Sequence, residues 1–275
     1  MRTTDWLVVG NGAVGATTAC LLADAGFSVT LLDSSPRALP TTDDWDPKTY
    51  SLTPASRRIL TAAGAWGGLD PARVGPYDRM AVWESGAERE GIAFDAAANG
   101  RRALGYMLEQ SRLLGALHAA VRARPAIDVA AGTPGELQVT DDAVDLLGTQ
   151  GERWRARALA ACDGPDSPLR VLAGISCEII DYGQTAVVAN VQTEMPHAAT
   201  ARQVFLPTGP LAFLPLPPPR LCAIVWSTTP AEAAQAMAGD DATFCAGLGR
   251  AFEHRLGTVG STGPRLALPL SRRHA

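Results

Sequence analysis

The chain has 275 residues, enough for one large domain or two modest ones. Hydrophobic residues make up 47% and charged residues 19%, below the roughly 25% of an ordinary soluble domain, so disorder is excluded and a sizeable core can be buried. Lys and Arg number 24 against 28 Asp and Glu, a formal charge of −4 with no basic cluster, which excludes nucleic-acid binding by phosphate neutralisation.

Residues 5–10, Asp-Trp-Leu-Val-Val-Gly, read as a short buried strand ended by glycine. Residues 13–25 read as a helix with Leu21 and Leu22 on its buried side and Gly26 as its stop. Residues 28–33 read as a second buried strand, which completes a βαβ unit and implies a parallel sheet with a right-handed crossover. Polar, proline-rich residues 34–50 read as a loop. Thr53-Pro54 then supplies an N-cap and a first-turn proline for a helix ending near Gly64. A helix over 109–123, short strands between 127 and 149 and a strand over 153–162 follow. After about residue 175 the texture changes to longer strands at 178–193, 201–206, 210–215 and 221–227, the pattern of an antiparallel sheet, with Pro217-Pro218-Pro219 as a hairpin loop. Thr229-Pro230-Ala231-Glu232 is a capping box opening a helix, and 241–255 reads as another.

The strongest motif is Gly10-Asn11-Gly12-Ala13-Val14-Gly15, a G-x-G-x-x-G between the first strand and helix, with Asp33 ending the second strand about 20 residues on. Gly10 permits the tight turn, Gly12 lets a pyrophosphate approach the main chain, and Gly15 lets the helix pack on the strand. The helix start, including Ala13 and Val14, offers unpaired N–H groups to phosphates. Asp33 accepts from the adenosine ribose hydroxyls and disfavours a 2′-phosphate. The fingerprint is shared by FAD and NAD. No other chemistry competes: five scattered cysteines lack C-x-x-C spacing, four histidines lack H-E-x-x-H, and no metal site or disulfide framework is expected. The cysteines point to a reducing, cytoplasmic compartment. No apolar run reaches the about 18–20 residues of a membrane span, and the glycines break any secretory-signal pattern.

A second motif, Cys162-Asp163-Gly164, closes the strand over 153–162, where ligands sit in open α/β sheets. With the glycine loop it resembles the Asp-Gly motif of single-component flavin-dependent aromatic hydroxylases. Downstream, Asp181-Tyr182-Gly183-Gln184, the run from Thr200 to Ala212, and Ile224-Val225-Trp226-Ser227 look like the ubiquinone-biosynthesis hydroxylases (the UbiH/UbiF/VisC group). Upstream, the runs from Lys48 to Ser56 and from Leu104 to Gln110 fit the same group, so the likeness spans essentially the whole chain.

The resemblance implies an α/β architecture: a Rossmann-like FAD-binding domain with an inserted antiparallel-sheet substrate domain. The FAD-binding part would comprise 1–75 and 101–174, the substrate sheet 76–100 and 175–265, and 266–275 the start of a strand returning to the first domain. The family's third FAD motif, a Gly-Asp segment, is not found, so the domain is expected to be C-terminally incomplete and to hold FAD poorly by itself. The implied reaction reduces FAD with NAD(P)H and hydroxylates a polyprenylated phenol through a flavin C4a-hydroperoxide. The cofactor carries the chemistry and no protein residue is assigned as catalytic. The resemblance places Gly10, Gly12, Ala13, Val14, Gly15 and Asp33 on the ADP half and Asp163 and Gly164 near the ribityl–pyrophosphate. It puts Lys48 where the family carries an arginine near the flavin, without the bidentate fork, and Gln110 on the flavin's linker. Substrate contacts are expected from Tyr182, Gln184, Phe205, Phe213 and Pro215, while Trp226 reads as core. Partners would be the phenol and other ubiquinone-pathway proteins, with at most peripheral contact to the inner membrane. Two alternatives stand beside this reading: a truncated or decayed non-catalytic homologue serving as a binding or assembly subunit, and an NAD-dependent dehydrogenase.

Overall fold

The computed structural model describes residues 2–34, 43–86 and 91–275. The chain opens with strand β1 (Arg2–Val9), helix α1 (Ala13–Asp24) and strand β2 (Val29–Asp33). Leu7, Val8 and Val9 are all buried, because β1 lies inside a sheet covered on both faces and both alternating sets of side chains meet apolar neighbours. β1 and β2 pair in parallel, with Val9 opposite Leu32, as the crossover helix requires. The expectation that α1 buries Leu21 and Leu22 is corrected: Leu21 is exposed and Leu22 is only partly buried, while Gly15, Ala16, Thr17, Ala19 and Cys20 are the buried residues of the helix. Small side chains on that face let the helix axis approach the strands, and the larger leucines are carried round to its flank by the 3.6-residue turn.

The middle of the chain adds β3 (Thr49–Leu52), α2 (Pro54–Ala62), β4 (Gly75–Tyr77), β5 (Arg79–Glu84), β6 (Ile92–Asp95), β7 (Gly105–Glu109) and α3 (Gln110–Arg122). Of the segment read as a loop, 35–42 lie outside the described residues, 43–48 form loop, and 49–50 belong to β3. β3, β7 and β4 make a small antiparallel sheet that the sequence reading did not foresee. Thr53 caps α2 by accepting from the Ser56 N–H at 3.1 Å, with Pro54 in the first turn. Then come β8 (Ile127–Ala131), β9 (Pro134–Val139), β10 (Val144–Gly148), β11 (Arg153–Ala161) and α4 (Pro168–Leu172). The first sheet runs β8-β2-β1-β11-β10-β9; its first four strands are parallel and its last two antiparallel. α1 and α3 cover one face through Ala16, Ala19, Leu113 and Leu117, and Leu7, Leu32, Leu146, Trp154 and Leu169 build the core on the other.

The remaining elements are β12 (Glu178–Thr193), β13 (Thr200–Leu206), β14 (Gly209–Pro215), β15 (Leu221–Thr228), α5 (Pro230–Ala238), α6 (Asp241–Ala251), β16 (Val259–Thr262) and β17 (Leu266–His274). They form the second sheet in the order β16-β12-β15-β14-β13-β5-β6, antiparallel except where β5 meets β13. α5 and α6 cover one face over Val187, Val204, Phe213 and Ile224. The opposite face carries Ala201, Leu214 and Ala223, which pack with Tyr77 and Met107 of the small sheet. One expectation is corrected here. Residues 266–274 do not return to the first sheet; β17 runs antiparallel along β12, from Leu266 opposite Val188 to His274 opposite Glu178. β16 already occupies that edge, with Thr262 opposite Val191, and the chain continues along it past Gly263-Pro264, where proline lacks the N–H for the ladder.

α5 begins as its sequence announces, with the Thr229 hydroxyl accepting from the Glu232 N–H at 3.3 Å. The reciprocal half of the capping box does not form; the Glu232 carboxylate accepts from the Thr228 hydroxyl instead. With one cap bond at stake, Thr229→Ala is expected to cost about 1 kcal/mol, read as a lower denaturant midpoint at unchanged m-value. No shift would show that the cap contributes nothing.

Candidate functional site

The carboxyl ends of the parallel strands meet at one cleft of about 370 Å³. This is where the first turn of a βαβ unit presents its amides. Gly10 follows β1 with φ +103°, and its N–H donates to the Leu32 carbonyl at 2.8 Å. A Cβ on Gly10 would meet the Cys162 carbonyl carbon at 2.6 Å and the Asp163 Cα at 3.0 Å, so the two sequence motifs lie in main-chain contact. Gly15 packs α1 against the same turn: a Cβ there would overlap the Gly10 carbonyl and stand 3.1 Å from the Cys162 Cβ.

Gly12 differs from both. Its φ of −79° is open to any residue, and among the described residues a Cβ would find no atom within 4 Å beyond its chain neighbours. The fold does not need glycine at this position; an outside ligand approaching the main chain does. Gly12 also caps α1 with no side-chain hydrogen bond and no acidic residue in the first turn, so among the described residues no side chain satisfies the first-turn amides. Asp33 stands at the end of β2 on the cleft wall, and the Asn11 amide donates to one of its carboxylate oxygens at 3.4 Å. These features fit the ADP half of a dinucleotide.

Gly10, Gly12, Ala13, Asp33, Gln110, Asp163 and Gly164 all line this cleft. Gly15 shapes it from behind, and Val14 points outward, exposed on α1. Asp163 has a structural duty: it accepts from the Leu169 N–H at 3.1 Å and so holds the start of α4, which Ser167 also caps. Gln110 donates to the Tyr50 hydroxyl at 2.7 Å. Lys48 gives its main-chain carbonyl to the Gln110 N–H at 2.9 Å, but its side chain is exposed and is not part of the cleft wall.

The five residues expected on the substrate side are not brought together. Tyr182 and Phe205 are exposed. Gln184 donates to the Thr208 carbonyl at 2.9 Å and so braces the β13–β14 turn. Pro215 is buried at the end of β14, its carbonyl against Gly75. Phe213, 1% exposed, stacks on Phe252 at 3.8 Å in the helix-covered core. The period-2 rule explains the split: Val204 of β13 faces the helices with Phe213, so Phe205 faces the other way.

The cleft also contains residues that sequence reading missed. Gln110, Leu114 and His118 form one stripe of α3, four residues apart, so the spacing from Gln110 was a usable signal. Thr133 follows β8, another strand ending at the same edge. Cys162 lines the cleft as well, but burial pushes its thiol up, and it remains a protonated packing group rather than a nucleophile. Among the described residues no cluster of His, Cys, Asp or Glu is arranged to hold a metal. No helix among them is long and apolar enough to cross a membrane.

The parallel crossover, the open glycine and the acidic strand end define a dinucleotide cleft, and the match of residues 3–239 to the FAD binding domain family makes the class a flavoprotein. The chain is 34% identical over 276 residues to the 3-demethoxyubiquinol 3-hydroxylase of Escherichia coli, covering 99% of itself and 69% of that protein. It is 32% identical over 277 residues to the ubiquinone hydroxylase UbiL of Rhodospirillum rubrum, covering 98% of itself and 62% of that protein. It belongs to the family of FAD-dependent hydroxylases of ubiquinone biosynthesis. Solved structures of more distant proteins share the fold. The p-nitrophenol 4-monooxygenase PnpA of Pseudomonas putida superposes with a TM-score of 0.72 at 20% identity, over 99% of this chain and 69% of that one. HpxO of Klebsiella pneumoniae, solved with FAD and uric acid, gives 0.69 at 16% identity, over 98% and 68%.

Proposed function

We propose that this chain binds FAD in the cleft below Gly12 and, as a member of its family, contributes to hydroxylating a polyprenylated phenol on the route to ubiquinone, with NAD(P)H as reductant. Bound FAD supplies the redox chemistry: dioxygen and two electrons from NAD(P)H yield one ring hydroxyl and one water. The chain's own residues bind and orient. The amides after Gly12 meet the pyrophosphate, Asp33 holds the adenosine ribose, and Gln110 with Tyr50 approaches the linker. Residues 1–75 and 101–174 carry this cofactor part. Residues 76–100 and 175–265 carry the substrate sheet. At most peripheral membrane contact is needed to reach a prenylated substrate.

The observation that carries the reading is a glycine with ordinary φ and open space in front of it. Gly12→Val tests it directly. The variant is expected to fold, giving up about 1 kcal/mol of stability through its poorer N-cap, and to lose most of its FAD affinity, because its side chain fills the space the pyrophosphate would take. Flavin fluorescence titration of both proteins reads the loss. Equal FAD affinity in the two would defeat the proposal, and tight NAD binding without FAD binding would replace it with a dehydrogenase.

A further inference from the structure

Gly12 belongs to a peptide unit whose other end is held by a residue from a distant part of the chain. His118, half-buried on α3, places Nε2 3.0 Å from the Asn11 carbonyl oxygen. A carbonyl only accepts, so Nε2 carries the proton and donates. The Asn11 side chain is held too, its amide donating to Asp33 at 3.4 Å. The Asn11–Gly12 peptide is trans, so its C=O and N–H point to opposite sides. Drawing the carbonyl toward α3 therefore turns the Gly12 N–H away from α3, and among the described residues nothing accepts from it. Glycine adds no Cβ to restrict this peptide, so without the His118 bond the plane is free to swing.

From this geometry we infer that His118 is the positioning residue of the phosphate loop: it presets the Gly12 N–H for an anionic phosphate oxygen before the cofactor arrives. Its contribution to affinity lies in preorganisation, since the loop does not have to be ordered on binding. His118 sits 107 residues from Asn11 in sequence, so α3 acts as the ruler that sets the loop. This inference rests on the FAD reading above.

Isothermal titration with FAD and with ADP tests it in the wild type, His118→Leu and His118→Gln. Leucine fills the space but cannot donate, and both affinities are expected to fall about tenfold. Glutamine carries an amide N–H near the position of Nε2 and is expected to bind within about threefold of the wild type. Unchanged ADP affinity in His118→Leu, or an equal fall in His118→Gln, would overturn the inference. Should His118→Leu fail to fold, His118→Asn replaces it, because its shorter amide cannot reach the carbonyl; equal affinities for His118→Asn and His118→Gln would then count against the proposal. A wild-type chain that takes up neither FAD nor ADP defeats the cofactor reading and this inference with it, whereas unchanged variants defeat the inference alone.

Discussion

Gly15→Ala is expected to cost about 3 kcal/mol or more, enough to lower the melting temperature by about 10 °C in a chain of this size. The added methyl would overlap the Gly10 carbonyl oxygen, with the Gly10 carbonyl carbon at 2.9 Å and the Cys162 Cβ at 3.1 Å. None of these atoms is the free end of a flexible side chain. The Gly10 carbonyl is fixed because its own residue has φ +103° and donates to Leu32 across the sheet. The turn cannot retreat, so α1 must move outward. That movement opens the core where Ala16, Ala19 and Cys20 touch Val8, Val29 and Leu31. Set beside Gly12→Val, the experiment separates two uses of one motif: the first variant chiefly loses stability, the second chiefly a ligand. Thermal and denaturant unfolding, with flavin titration on both, make the comparison. A Gly15→Ala protein as stable as the wild type would show that α1 shifts at no cost, and the close-packing account would fail.

That division also marks how far the site could be read without coordinates. The G-x-G-x-x-G and Asp33 were legible because one local unit, β1-α1-β2, carries the whole of their geometry, and each glycine answers a main-chain demand inside it. Tyr50 and Thr133 were not, because they enter the cleft from β3 and the end of β8 only when the sheet closes, and His118 was legible only through its helical spacing from Gln110. Long-range pairing was opaque in the same way. β3 meets β7 with Tyr50 opposite Leu108, and β17 lies on β12, and neither pairing leaves a local trace. The sequence pattern did identify four of the second sheet's eight strands, β12 to β15. It did not say which face the helices would cover, and that is why Phe213, chosen for a substrate, belongs to the core with Phe252. For α1, large residues were taken for the buried face where close packing demanded small ones.

Glu109→Ala is expected to destabilise the protein by about 3–5 kcal/mol, the other large effect, and to loosen the cleft as it does so. The Glu109 side chain is fully buried at the junction of β7 and α3. Its carboxylate accepts from Arg73 Nη2 at 2.6 Å and Nε at 2.8 Å, a two-pronged pair, and from the Asp46 N–H at 2.8 Å. Arg73 in turn donates to the Asp43 and Asp44 carbonyls and lies over the Trp45 ring at 3.8 Å. Asn190 of the second sheet donates to the Trp45 and Asp46 carbonyls, so loop 43–48 ties the second sheet and the small sheet to this one carboxylate. Removing the carboxylate strands a mostly buried guanidinium and an amide donor, and desolvation makes that worse than losing the attraction alone. Replacing both members, Glu109→Leu with Arg73→Met, is therefore expected to be less destabilising than Glu109→Ala by itself. Glu109→Gln keeps the shape and one acceptor and is expected to fall between the wild type and Glu109→Ala. Denaturant unfolding of the four proteins ranks them, and a double variant no better than Glu109→Ala would refute the buried-charge explanation. The effect reaches the cofactor side because Glu109 directly precedes Gln110, whose N–H is held by the Lys48 carbonyl of the same loop. In Glu109→Ala, proteolysis within residues 43–48 is expected to quicken and FAD affinity to fall together. A loop that stays protected while affinity drops would place the coupling elsewhere.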